Sequence, residues 1–261
     1  MRSLSIAATG MLAQQLNVEV ISNNIANMTT TAYKRQRAEF QDLLYQNLRR
    51  IGAASSDAGT IVPSGVQVGV GVKTASVYRI TEQGNLVATA NPLDLAIEGA
   101  GYFKVTLPNG SDGYTRAGAF QLSPAGEIVN VDGYTIAPGI TIPAEAIDIS
   151  VNATGEVLIK LEGQTDMQNV GQLELTNFPN EAGLESIGDN IFLETPSSGS
   201  AATGTPGSPA YGTIMQGFIE TSNVNPVSEI TSLITAQRAY ELNSKVITTS
   251  DEMMRSINTL R

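Results

Sequence analysis

The chain of 261 residues contains no cysteine, no histidine and no tryptophan, and each absence removes a class of function. Without cysteine, the chain can form no disulfide, thiolate nucleophile or thiolate metal site. Without histidine, it lacks the commonest general base, the commonest zinc ligand and every serine–histidine triad. Aromatic residues make up only 5% of the chain, which leaves few stacking platforms for sugars or bases. The composition thus removes several common kinds of catalytic and metal site.

Long apolar runs are missing as well. The sequence has no apolar run of about 18 residues, so it predicts no membrane insertion. Met1 and Arg2 are not followed by an uninterrupted apolar segment, because Gln14, Gln15 and Glu19 break it. We therefore expect no cleavable signal peptide.

Acidic residues outnumber basic ones, and the excess is concentrated in the middle of the chain. Residues 51–223 carry eighteen acidic and five basic residues, residues 1–50 carry three and six, and residues 224–261 carry four of each. A strongly acidic surface argues against nucleic acid as a partner. An acidic outer layer of an assembly and a simple need for solubility explain the excess equally well.

Both ends of the chain carry apolar residues at intervals of three and four, the pattern of an amphipathic helix. The pattern predicts one helix over residues 3–28 and a final helix whose N-cap is Ser228. A lone helix of this length is marginal in water, so each needs a partner, either the other end of the chain or a neighbouring subunit. The residues predicted to form this assembly seam are Leu4, Met11, Val18, Ile21, Ile25, Leu242, Val246, Met253, Ile257 and Leu260.

Between the two ends, the pattern changes to the period of two that is typical of strands. Phe103, Val105 and Leu107 alternate into the turn signal Asn109-Gly110, and further turn signals follow. A short second helix is predicted over residues 38–48, whose apolar side chains fall on one side. The fold class expected is α+β, with N- and C-terminal helices pairing as a coiled-coil inner domain and a β-rich middle domain of hairpins.

Motifs that could carry chemistry are weak. The glycine pairs of residues 69–71 and 99–101 do not complete a dinucleotide-binding fingerprint. Asp251 and Glu252 are adjacent, and adjacent side chains diverge on a helix, which favours a solvated face over acid–base chemistry. The basic cluster of residues 34–37 favours salt bridges to acidic neighbours over phosphate binding. We predict no catalytic residue, no cofactor and no metal site, and hence no enzyme.

Motifs along the whole chain share one resemblance. Middle motifs are Asn91-Pro92-Leu93-Asp94-Leu95 and Tyr114-Thr115-Arg116, and the motif residues near the two ends are Asn23, Asn24, Ala26, Asn27, Tyr33, Lys34, Ser222, Asn223, Val224, Asn225, Gln237, Arg238 and Tyr240. Together they resemble the bacterial flagellar rod and hook family. Ala32 stands where this family often has glycine, so alanine is strained there if the turn requires a positive φ.

The resemblance implies a structural subunit that assembles helically into a rigid drive shaft and transmits motor torque to the hook. The length of the chain and the stretch Gln46 to Gly65 resemble the distal rod members in particular. The implied parts are 1–30 with 228–261 as the terminal coiled-coil domain, 31–78 with 212–227 as a linking region, and 79–211 as the β-rich outer domain.

The partners implied by the resemblance are other copies of the chain (a helical tube), the proximal rod proteins, the hook protein, the P-ring and L-ring proteins and the flagellar export apparatus. The implied location is the flagellar basal body, from the periplasm to the level of the outer membrane. Three alternatives stay open: another axial subunit of the same family, a secreted β-rich binding or adhesive module, and a hydrolase that uses only carboxylates.

The stretch Gln46 to Gly65 is predicted to brace neighbouring subunits, because it is too rich in Gly, Ala and Ser to hold a core of its own. Deletion of residues 53–60 should therefore leave subunits that polymerise into curved or bendable tubes, as seen by electron microscopy. Straight, equally stiff tubes would show that the stretch is a solvated linker.

Overall fold

The computed structural model describes residues 2–49, 64–164 and 166–259, and the chain divides into two compact units. The helical unit comprises Met1–Ala26, Gln36–Tyr78 and Asn225–Arg261, and the β-rich unit comprises Asn27–Arg35 and Arg79–Val224. The predicted division into three parts stays a prediction. So does the brace, because its residues 50–63 lie outside the described residues.

The helical unit contains both α-helices of the described residues, which are the predicted terminal helices. Its elements are α1 (Arg2–Ala26), β1 (Gln36–Asp42), β2 (Tyr45–Arg49), β3 (Val66–Gly69), β4 (Val72–Arg79) and α2 (Pro226–Thr259). Strand β1 pairs with β4, and β2 pairs antiparallel with β3, where Tyr45 lies opposite Gly69.

The short helix predicted over residues 38–48 is wrong, because this segment forms β1 and β2. A helix there would have had to bury its apolar side, yet the Leu44 and Leu48 side chains are exposed. An isolated helix of this length is unstable in water, whereas pairing with β4 and β3 satisfies the backbone hydrogen bonds. Strand partners that lie about 20 or more residues away in sequence therefore outweigh the local helical pattern.

The β-rich unit consists of short strands joined by tight turns. Its elements are β5 (Leu86–Ala88), β6 (Leu95–Glu98), β7 (Tyr102–Thr106), β8 (Asp112–Thr115), β9 (Gln121–Leu122), β10 (Ile128–Val129), β11 (Ala146–Val151), β12 (Glu156–Leu161), β13 (Gln168–Gln172), β14 (Leu175–Asn177), a 3-10 turn (Glu181–Gly183), β15 (Glu185–Gly188), β16 (Ile191–Leu193), β17 (Ala202–Gly204), β18 (Thr213–Gln216) and β19 (Phe218–Glu220). Together with the terminal helices, they confirm the predicted α+β class.

One six-stranded sheet, in the order β15-β16-β8-β7-β14-β17, organises this unit. Because side chains alternate across a strand, Phe103 and Val105 of β7 enter the main core, where the Phe103 ring meets Phe120 edge to face at 5.1 Å. Tyr102 points to the other side of β7, into a second cluster with Tyr114 and three other apolar residues. A three-stranded sheet and the pairs β9–β10, β6–β18 and β5–β19 complete the unit.

Ala32 has a φ of +56°, in the left-handed region that favours glycine. The residue is buried, and its N–H donates a hydrogen bond of 2.8 Å to the carbonyl oxygen of Glu220. Ala32 therefore adopts a backbone conformation that is strained, because its Cβ lies too close to the backbone at a positive φ.

We expect Ala32→Gly to change the free energy of unfolding by less than about 1 kcal/mol. Relief of about 1–2 kcal/mol of backbone strain is offset by the loss of a buried methyl, about 0.8 kcal/mol, and by about 0.4–1 kcal/mol of added unfolded-state entropy. Ala32→Val should destabilise by about 2 kcal/mol or more, because a β-branched residue fits this region poorly. Equal denaturation midpoints for the two variants would contradict this account.

Candidate assembly site

The two terminal helices lie side by side and antiparallel within the helical unit. Asn24 contacts Glu229, Gly10 lies against Asn243, and the Ser250 hydroxyl is 3.4 Å from that of Ser3. Each step of fourteen or seven residues along α1 is thus matched by an equal step backwards along α2. A single register with a heptad interval relates the two helices.

Small and polar residues occupy the α2 side of this contact. On α2 the buried residues are Glu229, Ala236 and Ser250, which follow one another at multiples of seven. On α1, Gly10 permits close approach, since a Cβ there would lie 3.0 Å from the Asn243 side chain. Much of the pairing within one chain therefore rests on small and polar side chains, and α2 turns its largest apolar side chains elsewhere.

The seam residues predicted on α2 lie beside the contact with α1 rather than within it. Leu242, Val246, Met253 and Ile257 are between 46% and 66% exposed, and we call these four residues the outward stripe. Leu260 lies outside the described residues. Four large apolar side chains on one face of a solvated helix are the feature expected of a surface that another molecule covers.

The seam residues predicted on α1 behave differently. Ile21 is buried, whereas Leu4, Met11, Val18 and Ile25 are half-buried along the edge of the helix pair. The predicted seam residues of α1 are thus buried or half-buried in the single chain, whereas the described ones of α2 are exposed. Whether these residues serve in assembly stays a prediction at this point.

Asn24 joins three elements of the helical unit. Its side-chain amide donates to the Gln36 carbonyl oxygen at 2.8 Å and to Glu229 Oε2 at 3.2 Å, and its Oδ1 accepts from the Gln36 N–H at 2.9 Å. Asn24 and Glu229 are almost fully buried. Buried polar groups are stabilising only when they are hydrogen-bonded, so this junction holds the end of α1, the start of β1 and the first turn of α2 in one arrangement.

Asn225 caps α2. Its Oδ1 accepts from the N–H groups of Val227 and Ser228 at 3.1 and 3.3 Å, and Pro226 is the first residue of the helix. The prediction of Ser228 as the N-cap is therefore wrong. Proline fits the first helical position because the N–H that it lacks would have no partner within the helix.

A buried ionic cluster lies in the β-rich unit. Glu220 accepts from Lys34 Nζ at 2.5 Å, from Arg116 Nε at 2.9 Å and from the Gly84 N–H at 2.8 Å, and all three charged side chains are at most 4% exposed. Carbonyl oxygens of Glu82, Gly99 and Gly101 accept the other hydrogen bonds that Lys34 and Arg116 donate. The salt-bridge interpretation of the basic cluster is thus correct for Lys34.

Burial alone would raise the pKa of the Glu220 carboxyl. The charges of Arg116 and Lys34, with hydrogen bonds from Lys34 and Gly84, outweigh burial and lower this pKa below its usual value of 4.5. Burial lowers the pKa of the Lys34 ammonium, and the Glu220 charge only partly opposes that effect. The Glu220 carboxylate is thus the shared anion that neutralises both cations of this cluster.

The remaining motif residues mainly shape the backbone. Asn223 Oδ1 accepts from the Arg35 N–H at 2.7 Å, and its Nδ2 donates to the carbonyl oxygens of Ile80 and Glu82. The Asn27 side chain and carbonyl accept from Thr30 in the turn after α1. Ser222 and Val224 are buried and Tyr33 is half-buried, whereas Asn23, Ala26, Gln237, Arg238 and Tyr240 are exposed on the helices.

The Asn24 junction and the buried ionic cluster contain three charged residues that were not among the predicted site residues: Glu229, Arg116 and Glu220. Glu229 accepts a hydrogen bond from the motif residue Asn24, Glu220 accepts one from the motif residue Lys34, and Arg116 donates to Glu220. Arg116 ends the motif Tyr114-Thr115-Arg116 and Glu220 lies two residues before the motif residue Ser222, so both positions could have been found from the resemblance. The sequence signal for Glu229 is weaker: it is an acidic residue in the first turn of a helix, where the helix dipole favours negative charge.

Among residues 2–49, 64–164 and 166–259, no group of three or more carboxylates is placed to hold a metal ion. In the same part of the chain, neither helix is long and apolar enough to cross a membrane. The geometry instead supplies a rigid junction at Asn24, a buried ionic cluster and an exposed apolar stripe.

Comparison with known proteins identifies the family. Residues 4–34 match the flagella basal body rod protein family, residues 96–159 the D1 domain of flagellar hook protein FlgE/F/G, and residues 215–260 the C-terminal region of flagellar basal body rod FlgEFG proteins. The chain is 60% identical over 261 residues to the flagellar basal-body rod protein FlgG of Caulobacter vibrioides, which covers all of both chains. The chain belongs to the FlgG family.

More distant FlgG proteins also match along the whole chain. Identity is 44% over 263 residues with FlgG of Borreliella burgdorferi and 37% over 267 residues with FlgG of Bacillus subtilis, each covering 100% of this chain and 99% of the relative. The resemblance to the rod and hook family is therefore confirmed. FlgG proteins are structural parts of the flagellar basal-body rod, which also confirms that the chain is not an enzyme.

Replacement of Glu220 by glutamine should destabilise this FlgG-family chain by about 3–5 kcal/mol, because Lys34 and Arg116 would stay buried without their anion. A control, Asp112→Asn, breaks the Lys104–Asp112 pair, which is partly open to solvent, and should cost less than about 1 kcal/mol. Urea denaturation at neutral pH measures both changes.

The Glu220 carboxylate should also make the stability of the chain depend on pH, and comparison of wild type with Glu220→Gln tests this. Because folding lowers the pKa of Glu220, its contribution is complete above the unfolded value near 4.5 and is lost as the pH falls through the folded value. Wild type should therefore lose stability on acidification by a component that Glu220→Gln lacks. Parallel stability curves for wild type and Glu220→Gln would contradict this assignment.

Proposed function

We propose that this FlgG-family chain is a subunit of the distal rod that assembles helically, with its helix pairs packed as a coiled-coil inner layer. One observation carries the proposal: the outward stripe leaves four large apolar side chains of α2 exposed in the single chain. Complete burial of such a side chain is worth about 1.5–3 kcal/mol. Neighbouring subunits that cover the stripe would convert this exposed surface into the cohesion of a shaft.

The distribution of charge supports an outer position for the β-rich part. Residues 51–223 hold eighteen of the 25 acidic residues, whereas the two ends are balanced or slightly basic. An acidic exterior keeps a polymer soluble and limits contact between polymers. We assign 1–30 with 228–261 to the inner layer, 31–78 with 212–227 to the linking region and 79–211 to the exterior.

The proposed partners follow from a rod position in the basal body. They are other copies of the chain, the proximal rod proteins, the hook protein, and the P-ring and L-ring proteins around the shaft. Delivery by the flagellar export apparatus would place the subunit between the periplasm and the outer membrane. Torque transmission then depends on contacts between subunits rather than on any reacting group.

Replacement of Val246 by aspartate should abolish polymerisation while the subunit keeps its fold, because the position is 46% exposed in the single chain and becomes buried only on assembly. Val131→Asp is the matched control, since this valine is 71% exposed and belongs to the β-rich unit rather than to the helix pair. Sedimentation measures the polymer, and circular dichroism measures the fold. Normal polymers of Val246→Asp would show that the stripe faces solvent.

Ile21→Asp is a less specific probe of the same seam. Ile21 is 5% exposed within the helical unit, so a carboxylate there should lower the stability of the subunit itself as well as its assembly. The contrast between the two variants separates packing inside one chain from packing between chains.

A further inference from the structure

A groove runs beside the helix pair, on a different side of α2 from the outward stripe. Its volume is about 340 Å³, and the residues that line it are Gln15, Val18, Glu19, Gln237, Tyr240 and Glu241. Val18 and the Tyr240 ring form its apolar part, and Glu19 and Glu241 are its charged groups. The groove is thus apolar and anionic.

The outward stripe carries the opposite charge near Leu242. Arg238 lies four residues before Leu242 and Lys245 three residues after it, so the three side chains share one face of α2. All three are exposed. This part of the stripe is apolar and cationic, the complement of the groove.

We infer that the groove of one copy of this chain receives the outward stripe of a second copy, with Leu242 against Val18 and Tyr240 and with Arg238 and Lys245 facing Glu19 and Glu241. This inference rests on the proposed function, because it assigns the surfaces through which subunits of the shaft meet.

The occupant follows from the presence of both surfaces on one chain. Leu242 and Tyr240 are two residues apart on α2, so their side chains point to opposite sides and one copy cannot place its own stripe in its own groove. A contact between two different surfaces is heterologous and leaves one free groove and one free stripe after each addition. Such a contact continues into a ring or a helical filament, whereas a two-fold dimer would use one surface twice.

The charges also favour this pairing over groove-to-groove contact. Two grooves would bring four carboxylates together, and two stripes would bring four cations together, in surfaces that lose water on contact. Glu241 and Lys245 are four residues apart on the same helix and can also interact with each other within one copy. Glu19, on α1, provides an anion that is separate from that intrahelical pair.

The experiment reverses the charge of each surface in turn. The groove variant carries Glu19→Lys and Glu241→Lys, and the stripe variant carries Arg238→Glu and Lys245→Glu. Each variant alone should polymerise only at a concentration at least about tenfold above that of wild type, because like charges then meet. A one-to-one mixture should regain polymers in which the two variants alternate.

A matched control separates specific contact from attraction between oppositely charged proteins. The control carries Asp132→Lys and Glu185→Lys, which gives the same change in net charge as the groove variant at exposed positions of the β-rich unit. Its mixture with the stripe variant should not restore polymers. Restoration by this control, or failure of the groove and stripe variants to complement each other, would overturn the inference.

A second measurement does not depend on the charge variants. Because the chain has no cysteine, Val18→Cys in one copy and Leu242→Cys in another should form a mixed disulfide on oxidation of a polymer that contains both. Absence of that disulfide in polymers overturns the inference and leaves the proposed function standing. A wild-type chain that never polymerises at any concentration overturns both.

Discussion

The packing of the terminal helices is limited by one constraint. A side chain on one face of a helix can pack against one neighbour only, so the apolar residues that do not face the other helix of the same chain stay exposed. Gly10, Ala236, Asn243 and Ser250 lie in the contact between α1 and α2, which their small or polar side chains make close but weakly hydrophobic. Hydrophobic stabilisation scales with the apolar area removed from water. The side chains of the outward stripe therefore stay 46–66% exposed in the single chain, and we propose that neighbouring subunits cover them.

Hydrogen bonds between buried polar residues fix the register of the helices, which the small residues in their contact do not fix. Asn24, buried against Gln36 and Glu229, fixes where α1 ends and where α2 begins. A one-turn slip of the helices would separate Asn24 from Glu229 and leave both groups buried without each other, which is costly. In the β-rich unit, Glu220 has the same role toward Lys34 and Arg116. Specific geometry at these points comes from hydrogen bonds between residues far apart in sequence.

The sequence predicted the terminal helices, the β-rich middle and the hairpin turns, because these depend on local periodicity and on turn residues. It did not predict which neighbour each helix face meets, since the large apolar stripe of α2 dominates the pattern while the contact with α1 has few apolar residues. The pairing of Asn24 with Glu229 spans 205 residues, and no local pattern encodes it. The same limit explains the wrong helix over residues 38–48, whose strand partners lie farther along the chain. Asn225 and Pro226 carry the sequence signals of a cap and a first helical residue, but the prediction placed the cap at Ser228.

Thiol labelling tests the central claim most directly, because the chain has no cysteine of its own. Leu242→Cys lies in the outward stripe, and Ala236→Cys lies in the contact with α1, where the residue is 2% exposed. In the isolated subunit, Leu242→Cys should react rapidly with a thiol reagent and Ala236→Cys slowly. On polymerisation, Leu242→Cys should become protected while Ala236→Cys changes little. A slow reaction of Leu242→Cys in the isolated subunit, or an unchanged rapid reaction in the polymer, would contradict the claim that this stripe is kept for other subunits.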